Sequence, residues 1–322
     1  MNEELKMSRR SKRNLAMFLV LVVAVASFFA YSCDKRASQS VRVGYLPIIA
    51  SLPLHVAQDR AFFKDEDVTV ELVEFADSNR LSDALATGTL DVAQTVALAP
   101  MANLEASFPG RIRIFSVSKM TKANPFDSVL VTPESGIESL RQVSGKRIGT
   151  FPGTTAAALL GYFLRRNGIT AQAITPIAPP NQLAALESGS IDALHAYEPV
   201  LSLGLSRGYR RIEGSIYAAL HEPAPIGCSA MSRRFERDNS DLARRFLSAF
   251  DKAVMFIRSN PQEARKILAR ASLVPPNVAQ TCSLLDLSLT NEDMHSHIKA
   301  YIGILQEVGD VPKTVKTERL IK

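Results

Sequence analysis

Apolar and polar positions begin to alternate at Val41, where VRVGYLPI reads as a buried strand. ASLPLHVAQDRAFF follows with Leu54, Ala57 and Ala61 at helical spacing, Ser51 as a cap and Pro53 near the first turn, so the pattern predicts a helix. TVELVEF predicts the next strand, RLSDALATG a helix ending at Gly88, and LDVAQTV a short strand. The same order returns over residues 146–198. KRIGTF and AITPIA read as strands, TTAAALLGYFLRRNG as a helix closed by Gly168, NQLAALESG as a helix closed by Gly189, and IDALHAY as a third strand.

The two passages share more than their order. ALATGTLDVAQ and AALESGSIDALH place a glycine and, three residues on, an aspartate at matching positions: Gly88 with Gly189 and Asp91 with Asp192. Each glycine stands where a helix needs a left-handed residue after its last turn. Asp91 and Asp192 are expected to bond local backbone amides at the turn into the strand. Two α/β lobes follow, each expected to hold a parallel sheet covered by helices, with ligands bound outside the carboxyl ends of the strands. NPFDSVLVTPES and EPAPIGCSAMS read as the two crossings of a hinge. They divide the chain into one lobe of residues 41–124 plus 226–322 and a second of residues 125–225. Beyond the second crossing the pattern is helical. SDLARRFLSAFDKAVMFIRSN aligns Leu242, Phe246, Ala249, Phe250, Ala253 and Ile257 on one face, and Asn260-Pro261 with Glu263, PPNVAQTCSLLDLSL and TNEDMHSHIKAYIGILQEVG predict three more helices packed on the first lobe.

At 322 residues the chain is long enough for two cores. Its net charge of +6 lies partly in residues 1–32, which carry five bases against two acids, so the remainder is too mildly basic to suggest nucleic acid. Those residues form a basic start, an apolar run from Leu15 to Ala30 and AYSC, the layout of an export segment or an N-terminal membrane anchor. Cys33 after Ser32 partly resembles a lipidation signal, Ser8-Arg9-Arg10 weakly resembles a twin-arginine signal, and residues 33–40 read as a polar tether. Cys228 and Cys282 permit one disulfide and equally read as two buried small side chains.

GTFPGTTAAA is the strongest local site pattern. A strand runs into a glycine-containing turn, and Thr154 and Thr155 open a helix whose free amides suit an oxyanion, although Thr154 could equally cap the helix. It lacks the lysine and spacing of a nucleotide-binding loop. Ser51 and Leu52 hold the equivalent place in the first lobe, and the third strands bring Thr95 and Val96 from one side and Tyr197 and Glu198 from the other. Phe126, at the first crossing, completes the expected lining. The histidines lack zinc-binding spacing, Ser229 has no evident base, and nothing near Cys228 activates a nucleophile, so neither a metal nor a catalytic residue is expected.

VRVGYLPIIASLPLHVAQDRAFF, DALATGTLDVAQ, GKRIGTFPGTT, ALESGSIDALHAYEPV and SRRFERDNSDLARRFLSAFDKAVMFIRSNPQEARKIL together resemble the solute-binding proteins of ABC importers for nitrate, sulfonates, taurine and thiamine-pyrimidine precursors. The resemblance runs from residue 41 to about residue 270 and implies a two-lobed periplasmic-binding-protein-like fold of type II. It also implies a small-molecule ligand, an inner-membrane ABC permease as partner, a monomer without cofactor, and a location in the periplasm or cell envelope, tethered through the N-terminus. By motif it puts Ser51, Leu52, Thr150, Gly153, Thr154, Thr155, Tyr197 and Glu198 in the cleft. The cleft segments carry no cationic cluster of the kind a nitrate site suggests. Neutral donors with one carboxylate suit a ligand bearing both an oxyanion and an amine. Two other readings remain: an enzyme on the same fold related to thiamine-pyrimidine synthesis, using His55 or Cys228, and an anchored sensory module.

Overall fold

A computed structural model of the chain describes residues 40–271 and 274–321. The expectations placed on residues 1–32, on the tether up to Gln39 and on Cys33 lie outside the described residues. Among the described residues, no helix is long and apolar enough to cross a membrane.

Among the described residues ten strands are formed: β1 (Ser40–Tyr45), β2 (Thr69–Glu74), β3 (Val92–Ala97), β4 (Ile112–Val117), β5 (Asp127–Val131), β6 (Arg147–Thr150), β7 (Ala173–Pro176), β8 (Ala193–Tyr197), β9 (Arg210–Glu213) and β10 (Gly227–Ser232). Before the second crossing the helices are α1 (Leu52–Asp59), α2 (Phe62–Asp65), α3 (Ser78–Thr87), α4 (Leu98–Ser107), α5 (Thr154–Arg166), α6 (Pro179–Glu187), α7 (Val200–Ser206) and α8 (Ile216–Leu220). After it come α9 (Arg233–Asp238), α10 (Ser240–Ser259), α11 (Pro261–Arg270), α12 (Pro276–Ala279), α13 (His295–Glu307) and α14 (Thr317–Ile321).

The strands make two sheets of matching order, β2-β1-β3-β10-β4 and β7-β6-β8-β5-β9. The first three places in each are filled as the repeat predicts, and β1 with β3, and β6 with β7 and β8, run parallel. The fourth place departs from the expected all-parallel sheet. There β10 runs antiparallel to β3 and β4, and β5 antiparallel to β8 and β9. The cause is the route of the chain. Each fourth strand arrives from the opposite half along a crossing, not through a helical crossover that would restore its direction. Met120, just ahead of the first crossing, and Ala224, in the second, exchange backbone N–H···O bonds of 3.3 and 2.8 Å and so tie the two crossings together.

Period-two alternation explains how the second sheet is covered. Val129 and Val131 of β5 join Ile148, Leu160, Phe163 and Ile216 on the α5 and α8 face, while Leu130 joins Leu183, Leu186, Leu194 and Leu201 on the α6 and α7 face. The first sheet is buried against α10, whose six predicted core positions are all buried and which rests on α1 and α2. Here the helical spacing of the apolar positions is enough to set the packed face.

Two predicted helices are revised. The first divides at Arg60 and Ala61, where Ala61 takes a left-handed φ of 61° between α1 and α2. The segment predicted as a helix over residues 275–289 is helical only at α12. Its remainder is drawn out along β4 and the first crossing: Ser288 N–H donates to the Val117 carbonyl at 2.8 Å and Lys119 N–H to the Asp286 carbonyl at 2.8 Å. Covering the open edge of β4 outweighs the local helical preference.

Candidate functional site

The site is framed by a contact present once in each half. The Asp91 carboxylate accepts from the backbone N–H, Nε and Nη2 of Arg42 at 2.9, 3.1 and 2.8 Å, and the same guanidinium donates to the Gly88 carbonyl at 3.0 Å. Asp192 does the same with Arg147 at 2.8, 3.1 and 2.9 Å, and Arg147 reaches the Gly189 carbonyl at 2.6 Å. This corrects the expectation of local turn amides. Each aspartate instead fastens its strand to the first strand of its own sheet and, through the arginine, to the end of the preceding helix. The Arg147 hydrogen bonds hold the Asp192 carboxyl below its ordinary range.

In the first half, Ser51, Leu52, Thr95 and Val96 gather around the carboxyl ends of β1 and β3, and all four are buried. Ser51 is not a side-chain cap. Its hydroxyl donates to the Leu46 carbonyl at 2.7 Å, because a 3-10 turn over Ile49–Ser51 precedes α1 and carries the side chain back over the turn. Thr95 adopts a left-handed φ of 49°, and its hydroxyl donates to the Ala50 carbonyl at 3.0 Å. Gln94 supports it, donating to Thr95 Oγ1 at 2.8 Å and accepting from Ser229 Oγ at 3.0 Å. A strained threonine held on three sides at a strand's carboxyl end is the kind of backbone that functional sites retain. Nearby, His55 Nε2 is buried without a partner, and burial lowers the imidazole below its ordinary pKa.

In the second half a buried polar network lies between β5, β6 and β8. His195 Nε2 is 2.9 Å from Asp127 Oδ2, and Nδ1 faces Thr150 Oγ1 at 3.2 Å. Ile216 N–H donates to Asp127 at 2.8 Å, and the Ser215 hydroxyl donates to its other oxygen. The Tyr197 and Tyr217 hydroxyls are bonded to one another, and the Phe151 ring meets Tyr197 edge-on at 5.3 Å. From α13, Tyr301 brings a buried hydroxyl that has no partner. Burial above all keeps Tyr197, Tyr217 and Tyr301 well above the ordinary phenol pKa, so all three remain protonated donors.

Phe126 and Glu198 close this end. Glu198 N–H donates to the Phe126 carbonyl at 2.9 Å. The Glu198 carboxylate accepts from Ser202 N–H at 3.1 Å, Ser202 Oγ at 2.9 Å and Ser283 N–H at 3.0 Å, so it anchors the start of α7 and the extended segment beyond α12. Burial raises its pKa against those hydrogen bonds.

Gly153 precedes α5 with φ of 112°, a value open to glycine, and no side chain caps this helix. Thr154 is therefore not the cap that its position allowed. Its hydroxyl and that of Thr155 both donate to the Asp310 carboxylate, Thr154 at 3.1 Å. The structure thus gathers Ser51, Leu52, Thr95 and Val96 in one group, Phe126, Thr150, Tyr197 and Glu198 in a second, and places Thr154 and Thr155, but not the exposed Gly153, against the segment after α13. Sequence reasoning missed Asp127, Tyr217, Tyr301 and Asp310, and weighed the histidines, His195 among them, only for zinc-binding spacing. Asp127 and His195 did leave a signal, as single polar residues in the apolar runs DSVLV and ALHAY.

Cys228 and Cys282 are free and buried, and burial pushes the Cys282 thiol to about 11 and Cys228 higher still. His221 Nε2 and His297 Nδ1, far apart in sequence, meet at 3.0 Å. Among the described residues no group of three or more His, Cys, Asp or Glu side chains converges on a metal position. A cavity of about 260 Å³ lies elsewhere, between β4, residues 288–295 and the ends of α13 and α14.

Comparison with known proteins adds a family match, two relatives and two solved structures. Residues 49–264 match the family described as NMT1/THI5 like. A putative aliphatic sulfonates-binding protein of Bacillus subtilis is 28% identical over 262 residues, covering 79% of this chain and 76% of its own. A 4-amino-5-hydroxymethyl-2-methylpyrimidine phosphate synthase of Aspergillus parasiticus is 24% identical over 225 residues, 66% of this chain and 64% of that one. Among solved structures, the periplasmic aliphatic sulphonate binding protein SsuA from Escherichia coli superposes with a TM-score of 0.73 at 20% identity, covering 88% of this chain and 97% of that one. The periplasmic nitrate-binding protein NrtA from Synechocystis PCC 6803 gives a TM-score of 0.66 at 16% identity over 87% and 84%. These likenesses establish the two-lobed periplasmic-binding-protein fold.

Proposed function

Because the chain belongs to the NMT1/THI5-like family, we propose that it is the solute-binding receptor of an ABC importer, holding a small organic anion or zwitterion between its two lobes. The lobes in this reading are residues 41–124 with 226–322, and residues 125–225. The observation that carries the reading is the cluster of neutral hydroxyls that α8 and α13 complete around the carboxyl ends of β6 and β8. Thr150, Tyr197, Tyr217 and Tyr301 present hydroxyls in a water-poor setting, and α5 offers uncapped N–H groups beside them. Such donors bind an oxyanion without a neutralising lysine or arginine. The relatives named for sulfonate binding support the same ligand class.

Function then requires no bond-breaking step. Ligand contacts made from both sides favour approach of the lobes, with the paired crossings at Met120 and Ala224 as the hinge. The partner is an inner-membrane permease, the location is the periplasm, and the apolar segment before Cys33 tethers the receptor to the membrane, by lipid on Cys33 or as an uncleaved anchor. The enzyme reading has relatives named as pyrimidine phosphate synthases in its favour. Against it, burial raises the Cys228 thiol well above its ordinary pKa and so disfavours the thiolate that a nucleophile needs.

Titration calorimetry of the purified chain against taurine, alkanesulfonates, nitrate and aminopyrimidines tests the assignment. Binding in the micromolar range to a sulfonate or taurine is expected. No binding across that panel removes the transport reading. Intact mass of the envelope-extracted protein reads out the tether separately.

A further inference from the structure

The start of α5 already has an acceptor, and it comes from the chain itself. Thr154 Oγ1 donates to Asp310 Oδ1 at 3.1 Å and Thr155 Oγ1 donates to Oδ2, so each carboxylate oxygen takes one hydroxyl. Asp310 stands in the turn after α13, with its backbone fixed at both ends. Its N–H donates to the Leu305 carbonyl at 2.9 Å, and its carbonyl accepts from Asn103 Nδ2 of α4 at 3.1 Å. Further along α5, Leu159 is buried in the core of the first half and the Tyr162 hydroxyl donates to Glu307. Thr155, Leu159 and Tyr162 are four and three residues apart and share one helix face. That face therefore lies on residues 307–310 with its first-turn hydroxyls aimed at a fixed carboxylate.

We propose that Asp310 is a specificity-determining residue, a tethered anion that any oxyanionic ligand must displace from Thr154 and Thr155. This inference rests on the reading of α5 as the ligand's anion site. A carboxylate offers those hydroxyls the same in-plane pair of acceptor oxygens that one edge of a sulfonate or a nitrate offers. The tethered group competes at high effective concentration, since α13 and Asn103 leave it little freedom to move away. Once displaced it remains close by, and its negative charge opposes a second anion while attracting a cation. A simple alkanesulfonate meets both penalties. An aminosulfonate places an ammonium group within reach of the displaced carboxylate and recovers part of the cost, so Asp310 selects zwitterions over plain anions.

The test uses the full chain in mild detergent, as wild type and as the variants Asp310→Asn and Asp310→Ser, with thermal unfolding to confirm that both variants fold. Taurine and ethanesulfonate, which share the two-carbon sulfonate and differ in the amine, are titrated by calorimetry. Hydrogen exchange of the first turn of α5 is followed without ligand. Removing the carboxylate is expected to tighten ethanesulfonate binding by about tenfold or more, to change taurine binding less, and to accelerate exchange at Thr154 to Ala156. Unchanged or weaker ethanesulfonate binding in both variants, where the wild type binds a sulfonate, overturns the role of Asp310 and leaves the transport reading standing. If neither sulfonate binds to any of the three proteins, the anion site and this inference fall together.

Discussion

Tyr301 carries the most direct residue-level consequence. Its hydroxyl is buried and unpartnered, and such a group costs about 1–3 kcal/mol relative to a protein without it. A side chain serving only packing would gain by losing the oxygen. Tyr301→Phe is expected to stabilise the chain by about 1 kcal/mol, seen as a higher thermal midpoint, while weakening ligand binding about tenfold by calorimetry. A stabilised variant with unchanged affinity would remove Tyr301 from the site. At this scale the sequence was only partly legible. Thr150, Thr154 and Tyr197 were identifiable by residue type and position, but their partners Asp310, His195 and Tyr217 lie 20 to 156 residues away in sequence. No local pattern encodes which side chain faces which across two sheets.

The elements were far more legible, because each repeats a local rule. The matched contacts of Arg42 with Asp91 and Arg147 with Asp192 have a sequence trace in Arg42-Val43-Gly44 and Arg147-Ile148-Gly149. The glycine of each triplet is explained by packing. A Cβ on Gly44 would stand 2.3 Å from Leu90 Cδ1 and 2.4 Å from Leu81 Cδ1, and one on Gly149 would stand 2.5 Å from Ile191 Cδ1. Those side chains are themselves buried, so they can yield only by repacking against core neighbours. Gly44→Ala and Gly149→Ala should each cost about 1–3 kcal/mol by urea unfolding. Gly303→Ala in α13, where a Cβ meets nothing within 4 Å, should stabilise by about 0.5–1 kcal/mol. Equal and small effects at all three positions would refute the packing account. The fourth strand of each sheet was hidden for a different reason. β5 and β10 read locally like any buried strand, and their antiparallel direction is set by a crossing whose geometry has no residue signature.

At the scale of the whole molecule, the two halves meet through apolar packing and a set of polar side-chain contacts, and one of those contacts titrates. His221, just after α8, and His297, on α13, face each other at 3.0 Å across the same seam as the Tyr162–Glu307 and Thr155–Asp310 contacts. Burial first, and the neighbouring His297 second, hold His221 below its ordinary value of 6.5. Since its folded pKa lies below the unfolded one, the folded chain binds fewer protons there. The stability tied to the neutral ring is present above about pH 6.5 and is lost as pH falls through that value toward the folded pKa. His55, lowered by burial alone, adds a loss of the same sign but lies within the first half. A proton on His221 puts a charge into a half-buried seam where burial disfavours it, and so favours separation of the α8 side from α13. Acidification from about pH 7.5 to about pH 5 is therefore expected to lower the thermal midpoint and to increase the radius of gyration measured by X-ray scattering. His221→Gln should keep the halves together over that range and lose only the part of the thermal shift that belongs to the seam, with the His55 part remaining. An acid-induced expansion of the same size in His221→Gln would show that the seam opens for a reason other than this pair.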